Sequence, residues 1–108
     1  MRGELSTAMV DVMNERDRQV NEEGWTAEHD DRHKRGHLAR AGACYALRQS
    51  TDATGYRAWL GWAIENIWPF DWSWWKPRDY RRNLVRAAAL IIAEIERFDR
   101  AAEKAGEK

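Results

Sequence analysis

The sequence predicts an all-α fold, a compact helical bundle of three long helices and one short helix with an ordered Trp-rich loop. Three observations lead there. Apolar residues recur at spacings of three and four along each long stretch, helix-capping residues stand just ahead of those stretches, and no segment alternates as a half-buried strand does. No internal repeat is present. A chain of 108 residues forms a single domain, 1–108, with residues 1–6 and 103–108 expected to fray.

Each element has its own signal. Ser6 or Thr7 caps a first helix over about 7–23, where Met9, Val12, Met13 and Val20 make the apolar stripe and Gly24 supplies a left-handed stop. Thr26 caps a second helix, with Glu28, Asp30 and Asp31 in its first turns, where carboxylates complement the helix dipole. It is expected to run to about Arg48. Its later part, residues 37–47, is apolar or small on nearly every side, so it is expected to be the most enclosed helix. After a polar turn at 50–55, Tyr56, Trp59, Leu60, Ala63, Ile64 and Ile67 form a short helix that Pro69 ends. Residues 68–77 contain two prolines and no sustained period, and read as a loop tacked down by tryptophans. Asp79 caps the last helix. There Leu84, Ala88, Ile91, Ile95, Phe98 and Ala102 alternate spacings of four and three, a seam that Val85 and Ile92 widen.

Composition excludes several classes. Lys and Arg number 18 against 18 Asp and Glu, so the molecule lacks the net field that binding to a DNA or RNA polymer or to a membrane surface requires. No stretch approaches the roughly 18 apolar residues of a membrane span, and the first residues lack the apolar core of a secretory signal. A single Cys44 forms no internal disulfide and suits a reducing compartment. The expectation is a cytoplasmic protein.

The residues that carry chemistry are unevenly placed. Five of the seven tryptophans lie between Trp62 and Trp75, and Lys76, Arg78, Arg81, Arg82 and Arg86 follow. Indole faces stack on purines and cations hold phosphates, so a nucleotide-like ligand is the first reading. The competing reading is structural, because large side chains make the core of a small domain. Between Asp11 and Asp31 stand eight carboxylates, opposed only by Arg16 and Arg18. At 100° per residue, Arg16 falls in the first helix's apolar stripe, Asp99 beside Ile92 and Ile95, and Asp31 in line with Leu38 and Gly42. Inward charges must pair, meet water in a cleft or hold a ligand. Pairing of Arg16 with Asp99 or Asp31 is the structural version. His29, His33 and His37 recur every four residues, but no cysteine cluster completes a zinc set. Carboxylate oxygens suit magnesium better.

Beyond these patterns, the chain resembles a group of small phage and prophage proteins. The resemblance rests on Glu15-Arg16-Asp17-Arg18-Gln19, the block Gly24 to His33, Trp68-Pro69-Phe70, Trp74-Trp75-Lys76-Pro77 and Leu84 to Arg97. More distantly, its first and last blocks are similar to MazG-like nucleotide pyrophosphohydrolases, all-α enzymes that cleave nucleoside triphosphates with magnesium. Of that class's two acidic motifs, Glu96-Arg97-Phe98-Asp99 matches the second. The first is interrupted, since Gly24-Trp25-Thr26 follows Glu22-Glu23, and Glu28-His29-Asp30-Asp31 would have to replace it.

Three functions follow as expectations. The first is a binder that sequesters a phosphorylated nucleotide-derived molecule without turnover and without a cofactor, as phage sponge proteins do with host immune signals. Its site would comprise Arg16, Trp25, His29, Asp31, His33, Trp68, Trp74, Trp75, Lys76, Arg81 and Arg82. The second is a magnesium-dependent pyrophosphohydrolase with Asp30, Asp31, Glu96 and Asp99 on the metal. The third is a structural module that dimerises through its tryptophan-rich face. A homo-oligomer in the cytoplasm of a bacterial host is expected.

Overall fold

A computed structural model describes residues 4–48 and 55–106. The fold is all-α. Helix α1, Thr7–Asn21, starts where the Met9 N–H donates to Ser6 Oγ at 3.1 Å, and the chain leaves it through Gly24 at φ 74°. Thr26 Oγ1 accepts from the His29 N–H at 3.3 Å and opens α2, Ala27–Asp31. The single helix expected from Thr26 to Arg48 is in fact two. Gly36 at φ 71° separates α2 from α3, His37–Leu47. That left-handed conformation carries no Cβ penalty in glycine, and it turns the chain between the two helices.

Helix α4 spans Gly55–Ile67, and Pro69 follows it. The expected polar turn at 50–55 lies, except for Gly55, outside the described residues. A 3-10 turn at Trp72–Trp74 is capped by Asp71, whose Oδ1 accepts from the Ser73 N–H at 2.8 Å. Helix α5, Tyr80–Gly106, begins on Asp79, which accepts the Arg82 N–H at 3.0 Å. It continues as helix through Gly106.

Helix α3 is the enclosed helix, with Leu38, Ala41, Gly42, Cys44 and Tyr45 buried. It packs on the small side of α5, where Ala87, Ala89, Leu90 and Ala93 are buried. The approach is close. A Cβ on Gly42 would lie 3.1 Å from the Ala87 carbonyl oxygen and 3.2 Å from Ile91 Cγ1. We expect Gly42→Val to destabilise by about 1–3 kcal/mol, because backbone must move to admit the side chain. Thermal unfolding monitored at 222 nm checks this, and an unchanged melting temperature would show that the α3–α5 spacing is not limiting.

Two expected stripes face the other way. Leu84, Ile91, Ile95 and Phe98 are exposed, although their spacing reads as a core seam, and so are Met9 and Met13 on α1. The alanine side of α5 faces inward because small residues let α1 and α3 come near its axis. In α1 the buried residues are Glu15 and Gln19. Asp99, expected to point inward beside Ile92 and Ile95, is exposed like both of them.

The tryptophan loop is ordered as expected. Tyr45 Oη donates to the Trp74 carbonyl at 3.3 Å and accepts from the Lys76 N–H at 3.1 Å. Buried Asn83 accepts the Arg78 N–H at 2.7 Å and donates to the Arg78 and Arg48 carbonyls at 3.0 and 3.2 Å. Trp68 is buried against Tyr45, Phe70 and Trp75, whereas Trp62, Trp72 and Trp74 are exposed. Cys44 is buried and its thiol is pushed up to about 11 by burial, so it behaves as a small apolar residue. Among the described residues no helix is long and apolar enough to cross a membrane.

Candidate functional site

The acidic N-terminal segment and the basic segment after the tryptophans meet, and they neutralise each other. Arg18 Nε and Nη2 each donate at 2.8 Å to a different oxygen of Glu15, whose side chain is fully buried. Arg82 donates to Glu15 Oε1, Arg86 Nε lies 3.7 Å from Oε2, and Gln19 donates to Oε2 at 3.2 Å. Burial pushes the Glu15 carboxyl up. The hydrogen bond from Arg18 and the charges of Arg18, Arg82 and Arg86 outweigh it and hold the group below its ordinary range. Arg81 pairs with Asp11 at 2.9 Å, and Lys76 stands with Nζ 5.6 Å from the Trp74 ring centre. Two of the three cations expected to grip phosphate, Arg81 and Arg82, therefore already have carboxylate partners.

Arg16 does point inward, but toward neither Asp99 nor Asp31. Its Nη2 lies 3.3 Å from Oδ2 of fully buried Asp30 and 3.1 Å from Oε1 of Glu96, joining α1, α2 and α5. Asp30 Oδ1 lies 3.0 Å from His29 Nδ1. This bears on the magnesium site that the resemblance implies. Asp30 and Glu96 share a guanidinium, Asp31 turns to Arg100, and Asp99 is exposed, so the four carboxylates do not converge on one point. The donor set does not fit a divalent site. Among the described residues no group of three or more His, Cys, Asp or Glu side chains is placed to hold a metal.

Four of the expected ligand residues do come together. Trp25, His29, His33 and Trp74, with Glu23, Phe70 and Asp71, line a crevice of about 210 Å³. Trp25 stacks on His29 at 5.5 Å and 16°, and Phe70 meets His33 edge-on at 5.0 Å. The histidine ladder survives the break between α2 and α3, with ring centres 4.7 and 5.6 Å apart. Burial and the neighbouring rings of His29 and His37 lower the His33 pKa, which favours neutral imidazole. Trp68 and Trp75 are spent on the core and do not line this crevice.

A second hollow lies on the other side of α2. Asp31, Arg32, Lys34, Arg97, Arg100, Ala101, Lys104 and Ala105 line a groove of about 750 Å³. Five cations face one carboxylate. Arg100 donates to Asp31 Oδ1 at 2.8 and 3.0 Å, and Arg97 to Glu94 at 2.7 and 3.0 Å, which orients both guanidiniums. Asp31, expected to point inward, stands half-exposed at this groove. Sequence reasoning missed the cations here. The available signal was Arg97, Arg100 and Lys104 recurring at three and four residues on one face of α5.

No family model, curated protein or solved structure matches the chain.

Proposed function

We propose that the protein binds a phosphorylated, nucleotide-derived small molecule and holds the phosphate in the groove between α2 and the last turns of α5. One observation carries this reading: Arg32, Lys34, Arg97, Arg100 and Lys104 surround a hollow of about 750 Å³ whose lining includes a single carboxylate. The volume suits a small molecule, for which pockets run to roughly 300–1,000 Å³. Guanidinium groups already oriented by Asp31 and Glu94 lose little freedom on meeting a phosphate oxygen, and they match its geometry in pairs. Sequestration fits better than turnover because Asp30, Asp31 and Glu96, three of the four carboxylates a hydrolase would set on its metal, are engaged with arginines.

The test is a thermal-shift and calorimetric screen of nucleoside phosphates, cyclic nucleotides and adenosine diphosphate ribose, with unphosphorylated nucleosides as controls. A ligand of the native state raises the melting temperature by mass action. Phosphorylated compounds should stabilise, and chromatography should recover them intact. Arg32→Ala with Arg100→Ala removes two charge-assisted contacts and should weaken binding at least about tenfold. Binding that ignores this double change, or binding of nucleosides alone, refutes the assignment. Chemical conversion of the ligand would show turnover instead of sequestration.

A further inference from the structure

We propose that two copies of the chain associate through the exposed apolar stripes of α1 and α5, with the two α5 helices antiparallel. At 100° per residue, Leu84, Ala88, Ile91, Ile95, Phe98 and Ala102 fall within an arc of about 80° on α5, and Met9 and Met13 lie about 40° apart on α1, with Leu5 just ahead of its cap. The ion pairs Arg81 with Asp11, Arg82 with Glu15 and Arg16 with Glu96 rank the same way along both helices. Helices α1 and α5 therefore run side by side in the same sense. On α1 the buried residues Glu15 and Gln19 lie about a third of a turn from Met9 and Met13, and on α5 Arg82 and Glu96 lie between about a third and just under half a turn from the stripe. Both stripes thus open on the same side of the molecule and form one surface.

Its extent argues for a partner. Leu5, Met9 and Met13, and on α5 Leu84, Ile91, Ile92, Ile95 and Phe98, are each between 36% and 65% exposed. These eight side chains present roughly 700 Å², above the few hundred Å² usual on a monomer and close to the ~800 Å² each partner of a stable interface contributes. The spacing of four and three is that of a helix-pair seam, so the occupant is another helix with the same pattern.

A second copy supplies that helix. Antiparallel pairing centred near position 93 sets Leu84 against the partner's Ala102, Ala88 against the partner's Phe98 and Ile91 against the partner's Ile95. Large meets small in every layer but the middle one, which closes a seam without voids. Parallel pairing would stack Phe98 on itself and leave Ala88 facing Ala88. The antiparallel arrangement also brings Arg81 toward the partner's Glu103. The chain's zero formal net charge removes long-range repulsion between copies. The twofold places both α1 stripes on the same side of the α5 pair, which completes a four-helix layer.

Sedimentation equilibrium of the full chain across two orders of magnitude in concentration tests the pairing. The expected mass is that of two chains. Ile91→Arg with Ile95→Arg should keep the helical circular dichroism, since both residues are exposed in one copy, and should weaken association at least tenfold. A mixture of Leu84→Cys and Ala102→Cys copies should cross-link on oxidation while neither does so alone. A monomer at every concentration overturns the proposal, as does a higher assembly or a dimer that survives both arginines. Self-cross-linking of Leu84→Cys overturns the antiparallel arrangement.

Discussion

Glu15→Gln should lower the melting temperature by more than about 12 °C, the largest effect we expect from any isosteric change in this protein. The carboxylate is fully buried and receives Arg18, Arg82 and Arg86. Removing its charge leaves three guanidiniums facing one another, and breaking a buried pair in this way costs about 3–5 kcal/mol. The loop after the tryptophans should loosen with it, because Arg86 Nη1 also donates to the Lys76 carbonyl at 2.5 Å. Differential scanning calorimetry measures the change, and a loss below about 1 kcal/mol would show that the arginines find other partners.

Acid should act on the same group. The Glu15 pKa is depressed in the folded chain from an ordinary 4.5, so its stabilisation is complete above that value and is lost as pH falls through the folded pKa. His33 contributes in the same direction from higher pH. Its folded pKa lies below the ordinary 6.5, so the unfolded chain takes up that proton first and stability declines as pH falls below 6.5. Melting temperatures should fall in two stages, first below pH 6.5 through His33 and again below pH 4.5 through Glu15. His33→Phe should flatten the upper part of that curve alone.

Arg16→Met should be the second large loss, about 2–4 kcal/mol, because it removes the guanidinium that faces buried Asp30 at the junction of α1, α2 and α5 and leaves it the contact with His29 Nδ1. Combining it with Asp30→Asn should recover more than half of that loss. The double variant removes charge and countercharge together, and residues in direct contact are not additive. Recovery absent from chemical denaturation curves would mean that Arg16 acts mainly through Glu96 or through packing of its stem.

Much of the fold was legible because capping is local. Ser6, Thr26, Asp71 and Asp79 each accept a backbone N–H within three residues, and the first and last of the long helices begin where their caps stand. The division of the second helix was harder to see. A glycine can sit inside a helix or leave it, and Gly36 leaves it, at φ 71°. The inward charge of Arg16 was visible from its phase, but its partners were not. Asp30 and Glu96 lie 14 and 80 residues away, and nothing local distinguishes them from Asp31 and Asp99.

Residue pattern alone determined that the chain is all-α, where most helices start and that the loop after Trp68 is ordered. These follow from short-range hydrogen bonding and from periodicity, which any stretch of chain reports about itself. Only the tertiary structure decided which face of each helix is inside. The regular seam of α5 looked like core, yet the alanine face is the buried one, and Gly42 lets α3 approach it closely. That choice, made between segments about 45 residues apart, left a seam of leucine, isoleucine and phenylalanine in water and gathered the arginines of α5 beside α2.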